Sequence, residues 1–176
     1  MEDRKSQDML KARMTEKMIG YYRGNREDIV HFLKVHAYAE MIGRLEGLDE
    51  DTQLTLELAA IVHDIACPLC REKYGDTNGA HQEAESEALL REFLAEYDLG
   101  QERLERIIFL VTHHHTYRNV EGADYQILLE ADYLVNADEN PEKYLKGYET
   151  FREKVFRTKT GMKLLAEMFA DAPDYA

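Results

Sequence analysis

Apolar residues recur every three or four positions along almost the whole chain, and no stretch alternates apolar and polar residues as a half-buried strand would. This spacing predicts helices that pack together through one apolar face. The fold class expected is therefore all-α, a single-domain helical bundle of about eight helices with no sheet. The predicted helices cover residues 7–20, 25–45, 49–65, 81–97, 102–115, 123–136, 141–156 and 161–169.

Capping residues support several of these boundaries. Asn25 is a good N-cap, and Gly47 follows the end of the helix that Asn25 opens. Either Asp49 or Asp51 could cap the next helix. The pair Asn140–Pro141 is a strong start signal, because proline is favoured at the first helical position.

The length and composition suit one domain with a sizeable core. The chain has 176 residues, of which 44% are hydrophobic. Only three prolines are present, and no Pro/Gly-rich linker, internal repeat or low-complexity segment divides the sequence. We expect a single domain over residues 1–176, with a core of about 25–140 and the helices of 141–170 packed on it.

The formal net charge of −13 opposes binding to nucleic-acid polymers and to anionic membranes. The longest uninterrupted apolar stretches, such as Ile107–Val111, are too short to span a bilayer. The charged N-terminus has no apolar signal core, and two cysteines without such a signal suggest a reducing compartment. We therefore expect a cytoplasmic protein. A small anionic substrate would need a local positive charge, which a metal would supply.

One stretch of the sequence places an imidazole and a carboxylate directly after an apolar run. Residues 59–70 read AAIVHDIACPLC, so that His63 and Asp64 follow four apolar residues. A buried carboxylate is costly unless something compensates it. The sequence alone leaves four explanations open: a metal ion, a catalytic role, a redox centre, or an ordinary paired core histidine.

Polar residues lie on the apolar stripe of four separate predicted helices. His31, His63, His114 and Asp132 each have apolar residues at helical spacing before or after them, and Asp64 adjoins His63. Such residues could converge in the middle of a bundle. Because no Lys or Arg shares the stripes of the two carboxylates, a cation is the simplest compensation.

The donor types limit the metals that would suit such a site. Imidazole and carboxylate without thiolate suit Mn, Fe, Co, Ni, Zn or Mg. Four protein ligands would leave coordination positions for water and substrate. A divalent metal there would activate water and neutralise charge on a phosphoryl oxygen.

The order His31, His63-Asp64, Asp132 resembles the HD-domain metal-dependent phosphohydrolases. HFLKVHAYA resembles the opening motif of that family, LAAIVHDI its lead-in to the His-Asp pair, and ILLEADYLVN its closing Asp helix. The resemblance covers roughly residues 25–140. It implies an all-helical fold, a divalent metal held by His31, His63, Asp64 and Asp132, and hydrolysis of phosphate esters, often nucleotides.

Many members of that family have further histidines that build a second metal site. The candidates here are His81, His113 and His114, with His114 favoured by its helical spacing; His115 is interpreted as a neighbour. Members with the extra ligand often show His-x3-Gly near residue 82, where this chain has Gln82-x3-Ser86. One metal ion is therefore expected, with a second left open.

Charged residues outside these stripes are further candidates. After the His-Asp pair, Glu72 and Lys73 could join Asp64 as catalytic residues, and Arg71 could contact phosphate. The segment FRTKTG could bind phosphate through its backbone N–H groups and through Arg157 and Lys159. For each of these the alternative is a plain solvated segment.

The pair Cys67 and Cys70 has the spacing of a redox motif, but no βαβ pattern surrounds it. Two reduced thiols near the site are expected instead.

The sequence thus predicts a metal-dependent phosphohydrolase acting on a small phosphorylated molecule, with a nucleotide expected. Two alternatives of other classes remain: a non-catalytic metal- or nucleotide-binding sensor domain, and a di-iron HD-type oxygenase. A homodimer is left open as an assembly.

Overall fold

A computed structural model of the chain describes residues 2–146 and 148–170, and these residues form helices and turns with no strand. The all-α expectation is confirmed. In chain order the helices are α1 (Glu2–Tyr21), α2 (Arg26–Glu46), α3 (Glu50–Val62), α4 (Cys67–Tyr74), α5 (Gly79–Leu94), α6 (Gln101–His113), α7 (Ala123–Glu139), α8 (Pro141–Tyr144), α9 (Tyr148–Val155) and α10 (Lys159–Met168).

The helix ends follow the capping residues seen in the sequence. The Asn25 side chain accepts a hydrogen bond from the Asp28 N–H at the start of α2, and Gly47 ends α2 with a left-handed φ of 78°. Asp49, rather than Asp51, caps α3 by accepting from the next backbone N–H groups. Asn140 caps α8, with Pro141 at its first position.

One predicted helix is divided and another is shortened. The helix predicted over 141–156 is split between α8 and α9, and the sequence there contains Gly147, a poor helix former. The helix predicted through residue 65 ends at Val62, and a turn follows before α4 begins at Cys67. This turn matters for the site, because it carries both His63 and Asp64.

Helix α3 lies at the centre of the core. All of its residues from Gln53 to Val62 are buried, and α1, α2, α6 and α7 pack around it. The apolar stretch Glu50–Tyr74 is long enough to be considered as a membrane span, but 83% of its apolar window is buried inside the fold. It is therefore the central element of this bundle. The ends of α3 and α6 and the middle of α7 consequently meet near α2.

Helix α1 is tied to this core by buried polar contacts. Lys11 Nζ lies 2.6 Å from the carboxylate of Glu57, which is fully buried on α3. Gln53 donates to the same carboxylate at 2.7 Å, and Arg44 lies 3.6 Å away. Burial acts to raise the pKa of Glu57, but the neighbouring His36, Lys11 and Gln53 side chains lower it to about 2.

Replacing Lys11 by Met should lower the free energy of unfolding by about 2–4 kcal/mol, because the buried Glu57 carboxylate loses its closest cation. The folded-state pKa of Glu57 lies below its unfolded value, so the stabilisation is complete above about pH 5 and is lost as the pH falls toward 2. Denaturant unfolding at pH 7 and pH 3 measures both effects. Lys5→Met, at an exposed position of α1, is the matched control; an equal loss in the two variants would contradict the assignment.

Candidate metal centre

Two helices and one turn bring four predicted ligands together. His31 lies on α2, His63 and Asp64 in the turn after α3, and Asp132 on α7. His31 Nε2 is 3.2 Å from both His63 Nε2 and Asp132 Oδ1, and 3.5 Å from Asp64 Oδ2. His63 Nε2 lies 3.5 Å from each of the two carboxylates. The convergence predicted from the helical stripes is thus present in the fold.

The hydrogen bonds on the outer ring nitrogens decide what the inner atoms can do. His63 Nδ1 lies 2.8 Å from the carbonyl oxygen of Ala60, and His31 Nδ1 lies 2.8 Å from Glu139 Oε2. Both partners are acceptors, so each Nδ1 carries the proton and each Nε2 of a neutral imidazole presents a lone pair. When both imidazoles are neutral, lone pairs from two imidazoles and two carboxylates therefore meet at one point, which is the arrangement that a cation requires.

Electrostatics at the cluster point to the same requirement. Burial acts to raise the pKa of Asp132, but His31 and His63 outweigh it and lower the pKa well below its usual range. The pKa of Asp64 is likewise lowered by His63, His114 and His31 against the effect of burial. Burial would lower the pKa of His31, yet Asp132, Glu139 and Asp64 raise it to about 11. The carboxylates alone therefore favour a positive charge at the cluster.

Two residues hold the ligands in place from behind. Glu139, at the end of α7, accepts from His31 Nδ1 and is itself 3.3 Å from Lys34 Nζ. Asn136 donates to Asp132 Oδ1 at 2.8 Å. Such contacts fix the orientation of a ligand and typically change metal affinity by about 10–100-fold.

A second group of donors shares Asp64 with the first. Ligand atoms of Asp64, His114 and His115 lie within 4.8 Å of one another. His114 Nδ1 lies 2.7 Å from the Val111 carbonyl oxygen, so its Nε2 presents a lone pair. The Nε2 atoms of both histidines are buried without a hydrogen-bond partner among the described residues, although His114 Nε2 is 3.3 Å from Asp64 Oδ1. Burial and His114 lower the pKa of His115 to about 4, which keeps it neutral as a ligand must be.

The other two histidines considered for a second metal lie elsewhere. His113 bonds through Nδ1 to the Phe109 carbonyl oxygen, 2.8 Å away, and stacks on the Phe109 ring. His81 is partly exposed, with Nδ1 2.9 Å from Asp76 Oδ1 and its ring stacked on Tyr74. Because α6 ends at His113, the residue that turns inward beside His114 is His115, which a continuous helical spacing does not indicate.

The cluster opens into a cleft of about 240 Å³. Cys67 and Arg71 line it together because they are four positions apart on α4 and so share one face. Glu72 and Lys73 are rotated away from that face. Both are exposed, and Lys73 Nζ is 2.6 Å from Glu85 on α5. The structure therefore brings Arg71, but not Glu72 or Lys73, to the site.

Arg71 does not stand free in the cleft. Its guanidinium group makes two parallel hydrogen bonds to Asp28, at 2.6 and 2.7 Å. Lys143 also lines the cleft, and the only hydrogen bond of its ammonium group within the described residues is a long one, 3.4 Å, to the hydroxyl of Tyr144. Lys143 is therefore the cation in this cleft that is available to an incoming anion.

The segment FRTKTG does bind an anion, but the anion belongs to the chain itself. The backbone N–H groups of Arg157 and Thr158 donate to the buried carboxylate of Glu130, at 2.6 and 2.9 Å, and the Thr158 hydroxyl donates to its other oxygen. Glu130 precedes Asp132 by two positions on α7, which places the two on opposite faces. Arg157 and the adjoining Lys159 are thus held on the far side of α7 from the metal cluster.

The two cysteines are both buried and unpaired. Cys67 forms part of the cleft wall, and burial together with Asp64 and Asp28 raises the pKa of its thiol. The expectation of reduced thiols near the site agrees with this placement.

Several cleft residues were not predicted. Their positions depend on how separate elements meet rather than on an apolar stripe within one helix. They comprise Glu27, Asp28, Thr77, Gln82, His115, Asn136, Glu139, Lys143 and Tyr144. Gln82, one place after His81, presents a buried Oε1 with no partner among the described residues. Asn136 and Glu139 lie four and seven positions after Asp132, so the helical spacing of α7 was the one available signal.

Replacing Asp132 by Asn should reduce the metal bound per chain to about a tenth or less, because the amide removes the charge and offers a weaker ligand. Elemental analysis of purified protein measures this, and circular dichroism should show unchanged helix content. Asp138→Asn is the matched control on α7, since Asp138 is exposed and pairs with Lys34. Equal metal content in Asp132→Asn and wild type would contradict the ligand assignment.

Comparison with known proteins gives one family. The family model described as "HD domain" matches residues 28–144, more than half of the chain. Searches of curated proteins and of solved structures gave no match. The matched segment begins in the first turn of α2, ends with α8, and contains all four clustered ligands. The chain therefore belongs to the HD domain family.

Proposed function

We propose that this protein is a metal-dependent phosphohydrolase that acts on a small phosphorylated molecule, with nucleotides as the expected class. HD domains are typically metal-dependent phosphohydrolases, and the residues that would hold the metal are present here. The observation that carries the proposal is the convergence of lone pairs from His31, His63, Asp64 and Asp132 on one point of a cleft.

The donor set fits a divalent cation, held by His31, His63, Asp64 and Asp132. When bound there, such an ion would activate a water molecule and neutralise charge on a phosphoryl oxygen. Glu139 keeps the proton on the outer nitrogen of His31, and the Ala60 carbonyl does so for His63. Both imidazoles are therefore oriented as ligands.

The cleft supplies positive charge for the substrate from two side chains. Lys143 has no carboxylate partner among the described residues and can bind a phosphoryl oxygen directly. Arg71 is held by Asp28, so its guanidinium group is fixed in place and presents its remaining N–H groups to the cleft. A fixed donor needs little reorganisation when charge develops on the transferred group.

The second donor group supports a further candidate. Asp64 has one oxygen near His31 and His63 and the other near His114, so two cations could share it. A dinuclear phosphohydrolase and a di-iron oxygenase would both use this arrangement. An iron-containing, coloured and oxygen-sensitive preparation would favour the oxygenase, whereas turnover of phosphate esters favours the hydrolase.

A phosphate-release screen over nucleotides, sugar phosphates and p-nitrophenyl phosphate tests the proposal with each feasible metal added. Wild-type protein should release phosphate, and Asp64→Asn should lower kcat/KM by about 10²-fold or more, because the carboxylate that joins both donor groups is lost.

Glu72→Gln is the matched control for that screen, since Glu72 is an exposed carboxylate on α4 that does not line the cleft. It should retain wild-type turnover. A set of ligands that raises the melting temperature without any phosphate release would contradict the hydrolase and favour a sensor domain.

A further inference from the structure

A second and larger depression lies next to the metal cleft. It is an open groove of about 1110 Å³, formed where the α1–α2 turn meets the end of α7. Glu27 and Glu139 line both the groove and the cleft. A molecule bound at the metal cluster can therefore extend into the groove without leaving the protein surface.

Two arginines line this groove without a carboxylate partner. Arg23 lies in the turn before α2 and Arg26 is the first residue of α2, and neither makes an ion pair or side-chain hydrogen bond with any described residue. The chain has 35 acidic residues against 22 basic ones, so partners are abundant. Arg71, in the neighbouring cleft, is paired with Asp28. Two exposed guanidinium groups without described partners therefore line one groove of a strongly acidic protein. Together they could bind an anion.

The spacing along α2 relates these arginines to the metal ligands. Arg26 precedes His31 by five residues, about 7.5 Å along the helix axis at 1.5 Å per residue. Arg23 comes three residues earlier, in the preceding turn. Both also precede residue 28, where the match to the HD domain family begins, so they are features of this chain outside the matched segment.

We infer that Arg23 and Arg26 bind a second phosphate group of the substrate while the first phosphate lies at the metal cluster. The inference rests on the proposed function in one respect, the placing of the first phosphate. The preferred substrate is then a small molecule with two phosphates separated by a spacer, not a simple monophosphate. Arginine suits this role, because its planar group can bind a phosphate through two hydrogen bonds.

Glu27 indicates what the spacer contains. Its exposed carboxylate lies between the two anion sites, one helical turn before His31, and has no described partner. An anion at this position would be repelled, whereas a hydroxyl group could donate to it. The spacer is therefore not anionic opposite Glu27, and the hydroxyl groups of a sugar would suit this position.

Binding of non-hydrolysable probes tests the inference without relying on turnover. Isothermal titration of metal-loaded protein would compare pentane-1,5-bisphosphonate with pentylphosphonate, which differ only in the second anionic group. Wild-type protein should bind the bisphosphonate at least tenfold more tightly. In the Arg23→Gln/Arg26→Gln double variant this preference should fall to about twofold or less, and added salt should weaken it in the wild type.

Arg13→Gln is the matched control, because Arg13 is exposed on α1 and lines neither depression. It should keep the full preference. Failure of the wild type to prefer the bisphosphonate, or an unchanged preference in the double variant, would overturn the inference even if phosphate esters are hydrolysed. The preference could instead disappear in the double variant while the wild type hydrolyses no ester. That result would support the second anion site and contradict the proposed hydrolase activity.

Discussion

The structure depends on one electrostatic demand in its interior: ring nitrogens and carboxylate oxygens from distant parts of the chain face one another at the metal centre. The Nε2 atoms of His31 and His63 lie 3.2 Å apart, and each is 3.2–3.5 Å from an oxygen of Asp64 and from an oxygen of Asp132. Without positive charge this arrangement would repel itself in a medium of low dielectric constant. The fold therefore stores a strong preference for a cation at a defined place, and the metal chemistry of the proposed function follows from that preference.

Helix α3 is what makes the arrangement possible. It is buried along almost its whole length and ends at Val62, so the next two residues leave the apolar core at the point where α2, α6 and α7 come together. The end of one helix thus decides the position of two ligands, while a hydrogen bond from His31 to Glu139 and one from Asn136 to Asp132 orient the other two.

Much of the fold and the central ligand cluster could be predicted from the sequence, because both depend on periodicity within single helices. His31, His63 and Asp132 each occupy an apolar stripe, and stripes must face the core.

The positions of the remaining site residues depend on how separate elements meet. His115 enters the cleft because α6 stops at His113, and Lys143 does so because α8 follows α7 closely. Glu72 and Lys73 were predicted near the site from chain proximity, but the short α4 rotates them outward. The sequence predicted that the backbone around Arg157 and Lys159 could bind an anion. It did not indicate that this anion is the carboxylate of Glu130, which lies 27 residues away in sequence.

The first helix has a consequence for the metal centre although it precedes the segment that matches the family. Tyr22, directly after α1, donates to the carbonyl oxygen of Asp64 at 2.5 Å, and Tyr21 donates to that of Ile65 at 3.0 Å. These hydroxyls hold the turn that presents two ligands. Attachment of this helix and occupancy of the metal centre are then thermodynamically coupled, and each strengthens the other by the same free energy. Detachment of α1 from the bundle would accordingly weaken metal binding, and loss of the metal would favour detachment of α1.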